Sequence, residues 1–326
     1  MSEQPERARA TPAAVPAWPL AARLAEGLVG VADGTVCAVL LYGSHLLGTN
    51  PDEHSAVDLV LIVDDYRSFH RALARAGELH RPVSLMTVLA RALPPNVMAY
   101  APDDGRAGTA KNLVLSRDDF ARALGPEPRD HFVLGRLVQR VGVVWTASNA
   151  DASWVGERIA DGRARVLDWI APYLSGPFDA EALGRRVLEV CYQGEFRPES
   201  TARAGRVFEA QAQHFRASYG PLLEAAAEAG TLVRRGDAYE LAVPVDASVE
   251  RRWRRHFRRS KARSTLRWLK HTITFVNWLP YIVRKVERHT GRRIELTTLE
   301  RRMPLVFLWP RVLHVLLTRP RREIEN

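Results

Sequence analysis

The chain has 326 residues, of which 46% are hydrophobic and 26% are charged, and its formal net charge is +10. This composition excludes a disordered chain, a collagen-like repeat and a multi-span membrane protein. The length predicts two domains and a tail. Cys37 and Cys191 lie in apolar stretches without metal-ligand spacing, and the polar N-terminus does not resemble a signal peptide. We therefore expect buried free thiols and a cytoplasmic protein.

The first part of the chain, up to about residue 116, has a mixed pattern of predicted strands and helices. Apolar and β-branched runs predict strands at 35–42 and 56–63, with helices at 21–31 and 66–76. Asp64 and Asp65 are the expected N-caps of the second helix. Shorter strands are predicted at 96–101 and 111–116.

Helical periodicity dominates after residue 117. Patterns at 129–146, 153–174, 179–193 and 202–228 predict helices, and a hairpin at 231–243 is predicted to turn at Gly236-Asp237. Two further helices are expected at 248–289 and, after Thr297-x-x-Glu300, at 298–318. The predicted fold class is α+β, with a flexible tail (1–20), a domain with a small mixed sheet (21–128), a helical domain (129–247) and a basic C-terminal region (248–326).

The positive charge is concentrated in that last region. Residues 250–326 hold 21 Lys+Arg and 6 Asp+Glu, a net +15, which leaves −5 for residues 1–249. They also hold four of the eight tryptophans, at 253, 268, 278 and 309. Such a pattern is typical of a surface that binds an anionic membrane or a nucleic acid, or of a solvated arginine-rich helix whose tryptophans complete a core. The longest uncharged run of this C-terminal region, 271–283, has 13 residues and is too short to span a bilayer.

Three residue types in the first domain indicate phosphate chemistry. Gly43-Ser44 ends a buried strand, where backbone N–H groups and a hydroxyl would hold phosphate oxygens. Asp58 lies within an apolar strand, where an ionised carboxylate must be paired, hydrogen-bonded or metal-bound. Lys111 is the sole lysine before residue 261. It would serve as a point charge for a phosphate oxygen, or it is a surface lysine on an edge strand.

The Gly-Ser turn and the strand aspartate resemble the polymerase-β-like nucleotidyltransferases, although Val60 stands where a second carboxylate is usual. Within that superfamily the chain resembles the mitochondrial-type phosphatidate cytidylyltransferases over about residues 36–220. The similar segments occur in the same order: Tyr42-Gly43-Ser44, Asp58-Leu59-Val60, Phe69-His70, His80, NVMAYAP, KNLVLSRDDF, Gly135 to Trp145, and YQGEFR at 192–197.

This resemblance implies an Mg2+-dependent enzyme that transfers CMP from CTP to phosphatidate to give CDP-diacylglycerol and pyrophosphate. It implies that Asp58 binds the metal and that Lys111 neutralises the triphosphate. The residues it implies for nucleotide binding are Tyr42, Gly43, Ser44, His80, Arg136, Arg140 and Glu195. Residues 250–318 would then attach the enzyme peripherally to the inner face of the cell membrane, and nucleic acid is the less favoured partner.

Several alternatives remain at this point. The acceptor would be a nucleic acid or a protein instead of a lipid, or the fold would be a catalytically degenerate scaffold. Arg136 and Arg140, four apart on one predicted helix face, would be a solvated pair. Glu195 would pair with Arg197, and His70 and His80 would be structural.

Overall fold

The two most apolar runs of the sequence form adjacent central strands of a five-stranded mixed sheet. The computed structural model describes residues 18–49, 55–102, 108–193, 201–274 and Thr297. The strands are β1 (Val36–Tyr42), β2 (Val57–Val63), β3 (Asn96–Tyr100), β4 (Ala110–Ser116) and β5 (Gly142–Thr146), in the order β3-β4-β2-β1-β5. Strand β2 is parallel to β4, and the other neighbours are antiparallel. Every residue of β1 and β2 is buried except Asp58, as expected for strands covered on both faces.

Helices connect and cover these strands. They are α1 (Pro19–Val31), α2 (Ser44–Leu47), α3 (Tyr66–Arg75), α4 (Val83–Ala92), α5 (Arg117–Leu124), α6 (His131–Leu137), α7 (Asn149–Ala164), α8 (Val166–Ile170), α9 (Ala180–Gln193), α10 (Thr201–Glu209), α11 (Ala212–Glu228) and α12 (Ala247–Thr274). A 3-10 turn spans Ala171–Tyr173, and β6 (Leu232–Arg235) pairs with β7 (Ala238–Leu241) in a separate hairpin. The predicted α+β class and the mixed sheet are confirmed.

Local signals account for many element ends. The Asp65 carboxylate accepts a hydrogen bond from the Ser68 N–H at 2.9 Å, so Asp65 is the N-cap of α3, as predicted. Asp64 instead pairs with Arg117 at 2.9 Å. Gly236 has φ 63° in the predicted β6–β7 turn. Cys37 and Cys191 are buried, reduced thiols, as expected.

Two predicted boundaries are wrong. The helical pattern at 129–146 ends at Leu137, and Gly142–Thr146 forms β5 on the free side of β1, because its Val-Val-Trp-Thr run suits a paired strand. The predicted flexible tail extends to residue 20, yet Trp18 and Leu20 both pack against the core. A Cβ at Gly142 would lie 2.6 Å from the Trp18 ring, so these two residues fit closely together.

The described residues from Trp18 to Thr274 belong to one compact unit, and the predicted domain boundaries at 128/129 and 247/248 fall inside it. The predicted helix from 248 is present as α12 as far as Thr274. Its continuation to 289, the helix at 298–318, Trp278 and Trp309 lie outside the described residues. Within the described ranges, no helix has the length and apolar character needed to cross a membrane.

A buried ionic cluster attaches α12 to the sheet domain. The Asp130 Oδ2 atom accepts hydrogen bonds from Arg263 Nε at 2.8 Å and from Arg267 Nη2 at 2.7 Å. Arg267 also donates from Nε to the Pro94 carbonyl at 3.0 Å, and its side chain has no exposed surface. A guanidinium so removed from water requires a carboxylate partner, and Asp130 supplies it.

One turn later, Lys270 contacts the end of α4. Its Nζ donates to the carbonyls of Leu89 and Leu93 and, at 2.7 Å, to that of Pro95. The Leu89 and Leu93 carbonyls lie at the C-terminus of α4, where the negative end of the macrodipole favours the charged ammonium and opposes the effect of burial. Burial, followed by the charges of Arg267 and Arg263, lowers the pKa of Lys270 to about 6. Trp253, Arg267 and Lys270, which the sequence assigned to a membrane-binding region, therefore face the protein interior.

Replacing Asp130 by alanine is expected to lower the free energy of unfolding by about 3–5 kcal/mol, because Arg267 would remain buried without its carboxylate. Urea denaturation measures the change. Asp65→Ala is the matched control, since it removes an exposed N-cap and is expected to cost about 1 kcal/mol. The double variant Asp130→Leu, Arg267→Met is expected to recover part of the loss. Equal destabilisation in Asp130→Ala and Asp65→Ala would contradict this account.

Candidate functional site

The ends of three neighbouring strands bring three of the predicted site residues, Tyr42, Asp58 and Lys111, to one edge of the sheet. Tyr42, the last residue of β1, pairs with Asp58 near the start of β2. Asp58 pairs in turn with Lys111 near the start of β4. Because β1 runs antiparallel to β2 and β2 runs parallel to β4, these residues lie side by side although they are far apart in sequence.

The Gly43 turn brings the backbone against the Asp58 carboxylate. Gly43 has φ 78° and ψ −156°, a conformation that favours glycine. A Cβ at this position would lie 2.8 Å from Asp58 Oδ2. The Gly43 carbonyl accepts hydrogen bonds from the N–H groups of Leu46 and Leu47, which begins the short helix α2 at Ser44. The glycine is therefore needed both for the turn and for the approach of Asp58.

His45 holds the same turn from the other side. Its Nε2 atom lies 3.0 Å from the Ser55 carbonyl oxygen. This contact ties α2 to the segment that enters β2. The contact gives His45 a local structural role.

Asp58 and Lys111 form a partly exposed ion pair. The distance from Lys111 Nζ to Asp58 Oδ1 is 3.8 Å, and the side chains are 34% and 27% exposed, respectively. An exposed pair of this kind contributes roughly 0–1 kcal/mol to stability. Both groups can therefore turn to a charged ligand at little cost to the fold.

Arg136 lies on α6 beside an aromatic ring that a second arginine also contacts. Its Cζ is 3.9 Å from the centroid of Phe132, and it also donates to the Phe132 carbonyl. The Cζ of Arg267 lies 4.4 Å from the same centroid. His271 on α12 is a third neighbour, with its ring centroid 6.4 Å from that of Phe132. The Phe132 ring thus contacts the guanidinium groups of Arg136 from α6 and Arg267 from α12.

Arg140 does not share a helix face with Arg136, which corrects the sequence interpretation. Helix α6 ends at Leu137, and Arg140 is an exposed residue in the connection to β5. Its backbone N–H donates to Gln211 Oε1 at 3.0 Å, and the preceding Gln139 carbonyl accepts from Arg163 at 2.6 Å. Contacts to α7 and α11 therefore position this connection.

The two histidines of the family resemblance lie in different environments. His80 is exposed in the α3–α4 connection, next to Arg81, whose Nε lies 3.4 Å from the Ile273 carbonyl of α12. His70 is fully buried, with Nδ1 3.1 Å from Thr87 Oγ1, and burial lowers its pKa to about 4. The structure thus gives His70 a packing role. Glu195 and Arg197 lie outside the described residues.

Sequence reasoning missed the residues that α12 contributes. Arg267 and His271 of α12 lie beside Phe132 of α6, the ring that the predicted residue Arg136 contacts, and the sequence pattern indicates none of these three. The inward residues of α12 recur every three or four positions, which is a helix-face signal. Most of them are polar, so hydrophobic periodicity does not detect them; they are Trp253, His256, Phe257, Ser260, Arg263, Ser264, Arg267, Lys270, His271 and Thr274.

Within the part of the chain that the structure describes, the strand edge offers a hard divalent cation only one protein ligand, the Asp58 carboxylate. Asp58 offers one partly exposed carboxylate, and Mg2+ is often held by one or two carboxylates together with substrate phosphates. Among the described residues, no group of three or more His, Cys, Asp or Glu side chains is placed to hold a metal ion. The residues present thus fit a metal that arrives with a polyphosphate.

Comparison with known proteins adds no family assignment. No protein-family model matches the chain, and no curated protein matches it with significant similarity.

Gly43→Ala is expected to lower the free energy of unfolding by about 1–3 kcal/mol, because an alanine would adopt φ 78° and displace the Asp58 carboxylate. Gly220→Ala is the control, since a Cβ on this residue of α11 meets nothing within 4 Å. That change is expected to leave stability unchanged or to raise it by up to about 1 kcal/mol. Chemical denaturation compares the two, and a Gly43→Ala protein as stable as Gly220→Ala would refute the close approach.

Proposed function

We propose that the protein is an Mg2+-dependent nucleotidyltransferase of the polymerase-β-like type, which transfers CMP from CTP to phosphatidate. The products are CDP-diacylglycerol and pyrophosphate. The observation that carries the proposal is the strand register that brings Gly43, Asp58 and Lys111 to one edge of the sheet. These are the residue types that a bound triphosphate requires: a close backbone turn, a metal-binding carboxylate and a cation.

Each residue has a role that follows from its position. The Gly43-Ser44 turn would bind phosphate oxygens, and Lys111 would neutralise charge on the triphosphate. Asp58 would hold Mg2+, which when bound supplies charge neutralisation to the nucleotide phosphates. Tyr42, paired with Asp58, would help to form the nucleotide side of the site.

The chemistry needs positioning more than proton transfer. An oxygen of the phosphatidate phosphate would attack the α-phosphorus of CTP, forming a new P–O bond as the bond to the β-phosphate oxygen breaks and pyrophosphate leaves. The attacking oxygen is already ionised at neutral pH, so no strong general base is required. Arg136, on α6, would help to orient the negatively charged reactants.

The exposed face of α12 supports a membrane-bound acceptor. Its first half carries exposed arginines, and its second half exposes Leu266, Trp268, Leu269 and Ile273 by 36–57%. Basic residues followed by apolar and Trp side chains suit an anionic lipid surface. We therefore propose peripheral attachment to the inner face of the cell membrane, in which α12 contributes the described part of residues 250–318.

The transferase proposal is tested with labelled CTP, Mg2+ and vesicles that contain phosphatidate. Asp58→Asn is expected to reduce formation of CDP-diacylglycerol by at least about 100-fold, because it removes the metal-binding carboxylate. Asp168→Asn changes an exposed carboxylate on α8 and is expected to retain full activity.

The outcome also decides among the alternatives. If the wild-type protein forms no product with any phospholipid acceptor, the proposal of a lipid acceptor is refuted. Labelling of RNA 3′ ends or of protein under the same conditions would identify another acceptor. Absence of transfer to every acceptor would indicate a degenerate fold.

Membrane attachment is tested by sedimentation with phosphatidate vesicles at low salt. Each surface arginine contributes about 1 kcal/mol of attraction to an anionic membrane, so a variant with four glutamines on α12 is expected to lose most of its binding. The substituted residues are Arg251, Arg255, Arg258 and Arg259. The control replaces four exposed arginines elsewhere with glutamine, at Arg67, Arg71, Arg206 and Arg234. Equal sedimentation of the two variants would refute docking through α12.

A further inference from the structure

We propose that His271, together with Lys111 and Arg136, forms a phosphate-binding recess in which α12 supplies a direct contact to a substrate phosphate. This inference deepens the proposed function and rests on it for the identity of the substrate. The ligand class is a phosphate or polyphosphate anion. Its two sources are the nucleotide triphosphate and the phosphomonoester of the acceptor.

The placement of His271 follows from the anchoring of α12. Arg267 is fixed by Asp130, and Lys270 is fixed by the carbonyls at the end of α4. His271 is the next residue, and its ring lies 6.4 Å from Phe132, the ring that Arg136 also contacts. Two buried anchors thus hold the imidazole beside α6.

The charges around His271 are those of an anion site. Burial, followed by the positive charges of Lys270, Lys111, Arg267 and Arg136, lowers the pKa of His271 to about 2. These cations come from β4, α6 and α12. Lys270 and Arg267 have buried acceptors of their own. Lys111, held by a partly exposed ion pair, is available to a ligand.

The buried Nε2 atom of His271 also indicates a ligand at this position. The Nε2 atom of His271 is buried and has no hydrogen-bond partner among the described residues. A buried ring nitrogen without a partner is costly, and a phosphate oxygen would satisfy it as an acceptor of the Nε2–H bond. The neighbouring cations would stabilise the same anion. One phosphate ligand would therefore accept a hydrogen bond from His271 Nε2 and also neutralise the positive charge of the neighbouring side chains.

The recess is tested by isothermal titration calorimetry without turnover, with two probes in separate arms. Inorganic tripolyphosphate with Mg2+ represents the nucleotide phosphates, and dioctanoyl phosphatidate below its micellar concentration represents the acceptor. His271→Leu is expected to weaken binding of one probe about tenfold, the loss of one hydrogen bond to a charged group. His271→Gln keeps an N–H donor and is expected to stay within about threefold of the wild type.

His214→Gln is the matched control, because His214 is also a half-buried histidine near arginines but lies on α11, outside the recess. Circular dichroism verifies that each variant is folded. The arm that changes identifies the source of the phosphate. Equal affinity of His271→Leu and the wild type for both probes would overturn the recess. A wild-type protein that binds neither probe would also overturn it. Loss of binding in His271→Leu, combined with no CDP-diacylglycerol in the enzyme assay, would retain the recess and reject the transferase function.

Discussion

The hydrogen-bonded ion cluster of Asp130 with Arg263 and Arg267 is the constraint on which the arrangement of the candidate site depends. Arg267 has no exposed surface, so its charge is tolerable only with Asp130 in place. The cluster fixes α12 along α6 and β3, and Lys270 fixes the next turn against α4. Arg267 and His271, which lie beside Phe132, take their positions from these two contacts. The sheet alone would provide Asp58 and Lys111 but neither of these two residues.

Much of the sheet domain could be predicted because its signals are local. The runs around Val39 and Leu61 are long, apolar and β-branched, and Asp65 is followed by an amphipathic helix. Strand β5 was missed because its short Gly-Val-Val-Trp-Thr sequence becomes a strand through pairing with β1, a contact that a local pattern does not contain. Packing of Trp18 against Gly142 was hidden for the same reason.

Some residues of the candidate site could likewise be predicted from the local sequence, and others could not. Gly43, Asp58 and Lys111 could be found because each is anomalous in its own context: a glycine at a strand end, a carboxylate in an apolar strand and a rare lysine. Their adjacency then follows from register. Phe132, Arg267 and His271 are ordinary in context, since an aromatic residue in a helix and cations in a basic segment raise no signal. Only tertiary contacts give them a common location.

The sequence distance across the α12 anchor affects the order in which the protein can fold. Arg267 and Asp130 are 137 positions apart, and Lys270 and Pro95 are 175 apart. Closing such long loops is entropically unfavourable, so these contacts are expected to form late, after the sheet has organised. During synthesis, the strands that carry Asp58 and Lys111 leave the ribosome well before α12. A nascent chain therefore passes through a stage in which Asp130 and the end of α4 still lack their partners on α12, Arg267 and Lys270.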